Sequence, residues 1–324
     1  MENYSFISHN NTDAYFNLAS EEYLLKCKEG FYVYIWQNAP SVIIGTNQNA
    51  FSEVNLGYTE KEGIKVVRRL TGGGAVYHDL NNVNYTVIAP YNRDEQTFKL
   101  FSLPVIEYLK TLGVNAEFSG RNDLTVDGKK ISGTAETVYK NRIMHHGTLL
   151  FDTDIEKLSK ALIPNKLKIE SKGIKSVKSR VANIKDLIKA TMTIKEFVSG
   201  LCEFLKKGLK EECFTAYDIE QINILRKNKY STYEWNIGGS PKGKNSFEKR
   251  LSFGTFSFIF DTENGKIKNP QIFGDFFEKK PIDGLIKKLD GVRLNYEELS
   301  NVFADVSEYI LNSNAEEIVN SIFE

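Results

Sequence analysis

An α+β fold in two unequal parts is what this 324-residue chain predicts. Three observations carry the reading. β-rich runs and amphipathic helical runs share the longer, N-terminal part, which calls for mixed β-sheets flanked by helices. A stretch rich in Gly, Ser and Pro, Trp235–Asn245, then marks the best domain boundary. Beyond it, a strand pair and further helices make a two-layer α+β module of about 75–80 residues, below the ~100 of a typical domain. The division is therefore 1–243 and 247–324.

The composition is that of a globular protein with a sizeable core, 41% hydrophobic and 26% charged. Its 42 basic and 42 acidic residues cancel, so bulk charge gives no nucleic-acid footprint. Three cysteines (Cys27, Cys202 and Cys213) are odd in number and unpatterned, which argues against a disulfide framework or a zinc site. Cys27 and Cys202 fall on apolar helical faces and read as buried thiols. Met1–Asn11 is polar and lacks the apolar core of a secretory signal. No window approaches the ~20 apolar residues of a membrane span. The expectation is a soluble, cytoplasmic protein with no membrane or nucleic-acid partner.

Thr12 precedes an amphipathic run, Ala14–Leu24, with Gly30 beyond its end, as in a capped helix. Phe31–Trp36 and Val42–Gly45 are β-rich runs separated by Asn38-Ala39-Pro40 and read as a hairpin. Val83–Ile88 is a further strand. Glu95–Leu112 is mostly helical, with Pro104 marking a break or a late start. Val114–Phe118, Leu124–Val126, Lys130–Gly133 and Thr148–Phe151 are short strands, with a hairpin turn at Asp127-Gly128. Thr193-Ile194-Lys195-Glu196 is a capping box opening a helix to about Leu209, and another helix follows Asp218. In the tail, Leu251–Phe260 and Ile267–Phe273 pair around Glu263-Asn264-Gly265, before helical patterns from Ile282 onward.

The most informative stretch is Arg68-Arg69-Leu70-Thr71-Gly72-Gly73-Gly74-Ala75-Val76-Tyr77-His78-Asp79. Strand-like residues flank it on both sides. Glycine removes the Cβ barrier to positive φ and lets backbone N–H groups converge on an anion. Two arginines offer planar donor forks suited to phosphate or carboxylate. A tight hairpin needs fewer glycines and no arginine pair, so a phosphate or nucleotide site is the better reading.

Three weaker signals follow. Lys130 enters a strand beside Ser132, Gly133, Thr134 and Ala135, whose small size leaves room for a ligand at its ammonium; taken alone, Lys129-Lys130 reads as a solvated pair. His145 and His146 point to opposite faces of a strand and cannot share one tetrahedral metal. Gly147 and Thr148 leave space for a slender ligand. Lys172–Arg180 alternates cations with Ser and Gly, as a solvated face or a phosphate-covering lid would.

Their order resembles the lipoate–protein ligase family: the Arg-Arg-x-Thr-Gly-Gly-Gly-Ala-Val block, then Gly120-Arg121-Asn122-Asp123-Leu124, Lys130-Ile131-Ser132-Gly133, His145–Leu150 and Lys172–Val181. The resemblance extends through the C-terminal module and so covers nearly the whole chain. It implies a catalytic domain of the biotin/lipoate-ligase type plus a small accessory domain, acting as a monomer. It implies ATP and magnesium as substrate and activator, with no tightly bound cofactor. Lipoate and ATP would give lipoyl-adenylate and pyrophosphate. The acyl group would then pass to a lysine of a lipoyl domain, as in dehydrogenase-complex acyltransferases and the glycine-cleavage H protein, releasing AMP. Use of octanoate stays open.

By the same resemblance, Lys130 is the catalytic lysine, touching acyl carbonyl and phosphate. Arg69, Gly74, Ala75, Val76, Tyr77, Asn122 and Asp123 bind ATP, and Asp123 also takes magnesium. Gly72, Gly73, His146 and Gly147 border the lipoyl group. Lys172, Gly173, Ser176 and Arg180 form the adenylate-binding loop. Val42, Ile43, Val76 and Leu149 would supply an apolar slot. The chain has Asp79-Leu80-Asn81-Asn82 where the family often has Asp-Leu-Gly-Asn; asparagine tolerates positive φ best after glycine. The rival readings are an octanoyltransferase of the same fold, which would use no ATP and whose cysteine-dependent kind would need a cysteine by the pocket, and a degenerate lipoyl-domain-binding paralogue. A biotin ligase fits less well, because its nucleotide-loop sequence differs.

Overall fold

The computed structural model describes residues 4–323 apart from 93–95, 120–121, 164–179, 241–242, 275 and 277. The chain opens with β1 (Tyr4–Ser8), α1 (Ala14–Cys27), β2 (Phe31–Trp36), β3 (Ser41–Ile44), α2 (Ala50–Glu53), α3 (Leu56–Lys61), β4 (Lys65–Arg68), β5 (Val76–His78) and β6 (Asn82–Pro90). It continues through α4 (Thr97–Thr111), β7 (Glu117–Ser119), β8 (Asp123–Val126), β9 (Lys129–Tyr139), β10 (Arg142–Leu150), α5 (Ile155–Ala161), α6 (Ile194–Leu205), β11 (Lys210–Glu212) and α7 (Ala216–Leu225). Last come β12 (Gly243–Leu251), β13 (Gly254–Glu263), β14 (Lys266–Gly274), α8 (Asp283–Leu289), α9 (Tyr296–Phe303), α10 (Val306–Tyr309) and α11 (Ala315–Phe323).

Eight strands form the main sheet, in the order β11-β1-β2-β6-β10-β9-β8-β7. Side-chain alternation divides β2 cleanly. Val33 and Ile35 join Val83, Tyr85 and Val87 of β6 under α4 and α6, on one face. Tyr32, Tyr34 and Trp36 pack with α1 on the other. A second sheet, β4-β3-β5, stands over that α1 face: its Ile43 and Val67 share the α1 core, while Val42, Ile44 and Tyr77 pack outward on Ala50, Val54 and Leu158. The cavity described below lies between these two sheets.

Several sequence expectations are corrected here. Phe31–Trp36 and Val42–Gly45 do not form a hairpin, because β2 pairs with β1 and β6, whereas β3 pairs with β4 and β5. Helix α4 runs through Pro104 without a break; Pro104 is exposed, where water can take the carbonyl its missing N–H leaves free. Lys130–Gly133 and Thr148–Phe151 are parts of one long hairpin, β9–β10, turning at Lys140, whose φ is +54°. The Asp127-Gly128 turn (φ +50° and +74°) is as expected, and α6 carries the full capping box. Cys27 is exposed rather than buried, since it is the last residue of α1, and Cys202 is half-buried. Asn81 is not among the positive-φ residues, so its replacement of glycine carries no strain.

The C-terminal strands form a separate sheet, β12-β13-β14. Burial on β13 alternates strictly, and its inner face packs on the helices through Phe256, Phe258 and Phe303. Gly243–Asn245, read as the end of the boundary stretch, instead open its first strand, which runs to Leu251. The connector before it is also ordered by contacts: Glu234–Gly238 is a helical turn with Asn236, Ile237 and Gly238 buried. Phe51 and Leu56 pack against the C-terminal core, Tyr233 Oη donates to Gly265 O at 2.7 Å and Arg293 pairs with Glu234 at 2.6 Å. No helix among the described residues is long and apolar enough to cross a membrane.

Candidate active site

The floor of the site follows from strand register. Trp36 lies opposite Asn84, Asn84 opposite Thr148, Gly133 N donates to Thr148 Oγ1 at 3.2 Å, and Gly133 lies opposite Asp123. Residues paired across a sheet share a face, so these form one row; at ~4.8 Å per strand it spans about 19 Å. A second row places Thr86, His146 and Ala135 on the same face. The cavity above them, of about 360 Å³, is lined also by Leu18, Ile43 and the segment Gly73–Val76.

Lys130 reaches this floor through a bulge. The β8–β9 register slips between Leu124 and Thr125, so that Leu124 lies opposite Ser132 and Thr125 opposite Lys130. Ile131 is the extra residue and is buried in the opposite core with Leu124. Without it, Lys130 and Gly133, three apart, would face opposite sides; the bulge puts both on the cavity face. Lys130 Nζ pairs with Asp123 Oδ1 at 2.7 Å, both side chains about one-third exposed. A Cβ on Gly133 would lie 2.7 Å from Lys130 Nζ, so the glycine makes room for the ammonium.

The roof is the glycine segment. It joins β4 to β5, which flank β3 and do not pair with each other, so it is a crossover rather than a hairpin. Arg69 is buried and its guanidinium gathers the segment: Nη2 donates to Gly72 O (2.6 Å) and Gly74 O (2.9 Å), Nη1 to Ile43 O (3.0 Å) and Nε to Thr71 Oγ1 (2.8 Å). Burial lowers its pKa to about 10, opposed by the Glu21 carboxylate. Gly73 has φ +93°, and a Cβ on Gly45 would lie 2.2 Å from Gly73 O; both positions need glycine.

Arg68 does something else. By strand alternation it points away from the cavity, donating to the carbonyls of Gly45 (2.9 Å), Gln48 (2.7 Å), Trp235 (3.1 Å) and Asn236 (3.0 Å). It holds the β3–α2 loop to the connector, and offers no fork to a ligand.

Behind the roof runs a buried polar chain. Trp36 Nε1 donates to Thr86 Oγ1 (2.9 Å), which donates to Glu21 Oε1 (2.6 Å). Glu21 also accepts from His146 Nδ1 (2.9 Å), and His146 Nε2 meets Thr71 Oγ1 at 2.8 Å. His78 Nδ1 accepts from Asn38 Nδ2 (3.1 Å), because Asn38 Oδ1 is taken by Asn17 Nδ2 (2.9 Å). Burial, then Arg69 and His146, push its pKa down to about 3. His145, on the other face, donates from Nδ1 to Glu136 at 2.8 Å; burial lowers its pKa against that partner.

The structure thus gathers Arg69, Gly73, Gly74, Ala75, Val76, Asn122, Asp123, Lys130, His146 and Gly147 around one cavity. Asn122 Nδ2 is tied to Thr134 O at 2.7 Å. Gly72 contributes its carbonyl to Arg69, whereas the Tyr77 side chain packs outward, with Val42. Of the apolar slot, Ile43 and Val76 are in place; Val42 and Leu149 have the wrong strand parity and lie in other cores. Lys172, Gly173 and Ser176 lie outside the described residues. Arg180 is described, and Val181 beside it bridges to Lys130. Thr148, expected beside Gly147 to leave space for a ligand, lines the cavity as well, whereas Leu18, Glu21, Trp36, His78 and Asn84 were missed. Glu21 had one sequence signal, an acid within the apolar run of α1. The strand residues needed the register.

The site is thus a cavity roofed by a glycine crossover, with a lysine–aspartate pair at one end. Residues 13–206 match the model of the lipoyl protein ligase A/B catalytic domain, and residues 240–322 that of the bacterial lipoate protein ligase C-terminus. The chain belongs to the lipoate–protein ligase family. It is 44% identical to the lipoate–protein ligase LplJ of Bacillus subtilis over 312 residues, 94% of this chain and 93% of that protein. Lipoate–protein ligase 1 of Staphylococcus aureus is 40% identical, covering 94% of each. Among solved structures, the lipoate-bound LipL1 of P. falciparum superposes with a TM-score of 0.61 at 28% identity, covering 99% of both chains.

Proposed function

We propose that this chain activates lipoate with ATP to lipoyl-adenylate and transfers the acyl group to a lysine of a lipoyl domain. The observation that carries the reading is Lys130, 2.7 Å from Asp123, on a floor shared with an elongated cavity under the Arg69-held crossover. Adenylation joins a carboxylate to the α-phosphate, so charge develops on oxygens of both groups. One ammonium between them stabilises both half-reactions, and more strongly where water is excluded. Trp36, Leu18, Ile43 and Val76 provide the apolar wall for the acyl chain. No protein nucleophile is required: the carboxylate attacks the α-phosphorus, pyrophosphate leaves, and the acceptor lysine amine later displaces AMP.

Asp123 is the cavity's one carboxylate among the described residues lining it. A single carboxylate suits magnesium carried on nucleotide phosphates, with Lys130 turning from Asp123 to the substrate. When bound, that ion would supply charge neutralisation on the phosphates. Gly74–Tyr77 offers backbone to the nucleotide, and the segment from Lys172 through Gly173 and Ser176 to Arg180 completes the adenylate site. We assign the catalytic part to 1–243 and the accessory module to 247–324, and place the enzyme in the cytoplasm as a monomer. The acceptors are dehydrogenase-complex acyltransferases, glycine-cleavage H protein, or both.

Lipoate-dependent ATP–pyrophosphate exchange, followed by lipoylation of a panel of purified acceptor domains, tests the reading. Exchange that needs lipoate is expected. Acyl transfer without exchange would instead indicate the octanoyltransferase chemistry.

A further inference from the structure

We propose that Glu21 is a positioning residue for acyl activation, setting the grip of Arg69 on the glycine crossover through His146 and Thr71. The inference rests on the ligase reading above. Glu21 is 1% exposed on α1 and accepts hydrogen bonds from His146 Nδ1 and Thr86 Oγ1. Burying a carboxylate is costly unless its hydrogen bonds are made.

The bonds run in series from Glu21 to the crossover. A carboxylate only accepts, so the hydrogen between Glu21 and His146 (2.9 Å) sits on Nδ1. In the neutral ring Nε2 then accepts, and it takes the Thr71 hydroxyl hydrogen at 2.8 Å. Thr71 Oγ1, placed by that bond, accepts from Arg69 Nε at 2.8 Å. The guanidinium is thereby turned so that Nη2 faces Gly72 O and Gly74 O at 2.6 and 2.9 Å. In a trans peptide the following N–H points opposite to its carbonyl. The Gly73 and Ala75 N–H groups therefore turn away from Arg69, in a segment that lines the cavity. A carboxylate on α1 thus orients the amides presented to the reacting phosphate and carboxylate, which it does not touch.

The test uses Glu21→Gln, Thr71→Val, Thr71→Ser and the Glu21→Gln/Thr71→Val pair in the full chain, read by lipoate-dependent ATP–pyrophosphate exchange and by thermal melting. Glutamine keeps the shape but offers one acceptor and one donor, so the ring hydrogen is no longer assigned to Nδ1. We expect kcat to fall by about fivefold or more, with KM for lipoate within about twofold. Thr71→Val should lose as much, Thr71→Ser should recover most of it, and the pair should be no worse than about twofold below the poorer single variant. A smaller loss in Glu21→Gln, or a pair whose losses multiply, overturns the proposal. Should Glu21→Gln not fold, the Thr71→Val and Thr71→Ser contrast decides alone: equal activity overturns it. Absence of exchange in the unaltered enzyme would sink the ligase reading instead.

Discussion

The floor and the roof of the cavity are built by different rules. Asn84, Thr148, Gly133 and Asp123 stand where the main sheet's register puts them, one per strand in a single row. Gly72–Gly74 has no ladder of its own, because it crosses from one edge of the small sheet to the other. Its carbonyls are held by Arg69, and the loop it leans on, Gly45–Gln48, is held by Arg68. Backbone pairing distributes the floor over many small bonds. Side-chain donors concentrate the roof on two residues. Single substitutions in the roof should therefore reach the whole fold, and those in the floor should stay with the chemistry.

Arg68→Met tests the roof hardest. It keeps an unbranched apolar stem but removes the guanidinium donor from the carbonyls of Gln48, Trp235 and Asn236 and one of two donors from that of Gly45. The expected loss is about 3–5 kcal/mol of unfolding free energy. Denaturant melts showing under about 1 kcal/mol would mean that the connector and loop hold themselves. Lys130→Ala is the matching floor variant. The side chain is one-third exposed and pairs only at the cavity, so stability should hardly move. Adenylate formation should fall by at least ~100-fold, the effect of removing one charge-stabilising group; unchanged exchange would take Lys130 out of the reaction.

Gly45→Ala sharpens the contrast within the roof. Its Cβ would meet the Gly73 carbonyl oxygen at 2.2 Å, and a backbone atom cannot swing aside as a side chain does. Overpacking of this kind costs about 1–3 kcal/mol. Because the displaced atom belongs to the crossover, exchange should decline in step with stability. An active, fully stable variant would show that the crossover tolerates movement.

The same contrast explains what could be read from the sequence. Arg69 and the glycines were legible as cavity residues from their own types, whereas Lys130 and Asp123 were placed there by the order of motifs that carries the family resemblance. Both arginines looked alike as donor forks. Only the pairing of β4 with β3 separates the one that faces the site from the one that faces the connector. Val42 and Leu149 were assigned to the slot from composition, although strand parity sends them to other cores. The hairpin expected across Asn38-Ala39-Pro40 failed because turn residues mark a change of direction, not a partner: here the chain leaves one sheet for another. Trp235–Asn245 was read as a domain boundary because Gly, Ser and Pro often mark one. Burial of Asn236 and Gly238 against Arg68 and the Asn264 backbone is a tertiary fact with no local signature.

The smallest expected effect bears on the roof as an acid-sensitive element. His78 ends β5 beneath the crossover, 3% exposed. Burial, with Arg69 and His146 as further causes, lowers its pKa from 6.5 to about 3. In the unfolded chain the ring protonates near 6.5; in the folded protein it stays neutral until about pH 3. Between those values the unfolded state binds the extra proton, so stability falls as pH falls. From about pH 7.5 to about pH 6, this one group should remove roughly 1 kcal/mol. Buried His145 shifts in the same direction but belongs to the floor's other face. A His78→Gln variant should therefore lose less stability than the unaltered protein over that interval, with the His145 contribution common to both. Parallel pH–stability curves would show that His78 titrates normally in the fold, and hence that the roof admits water to its base.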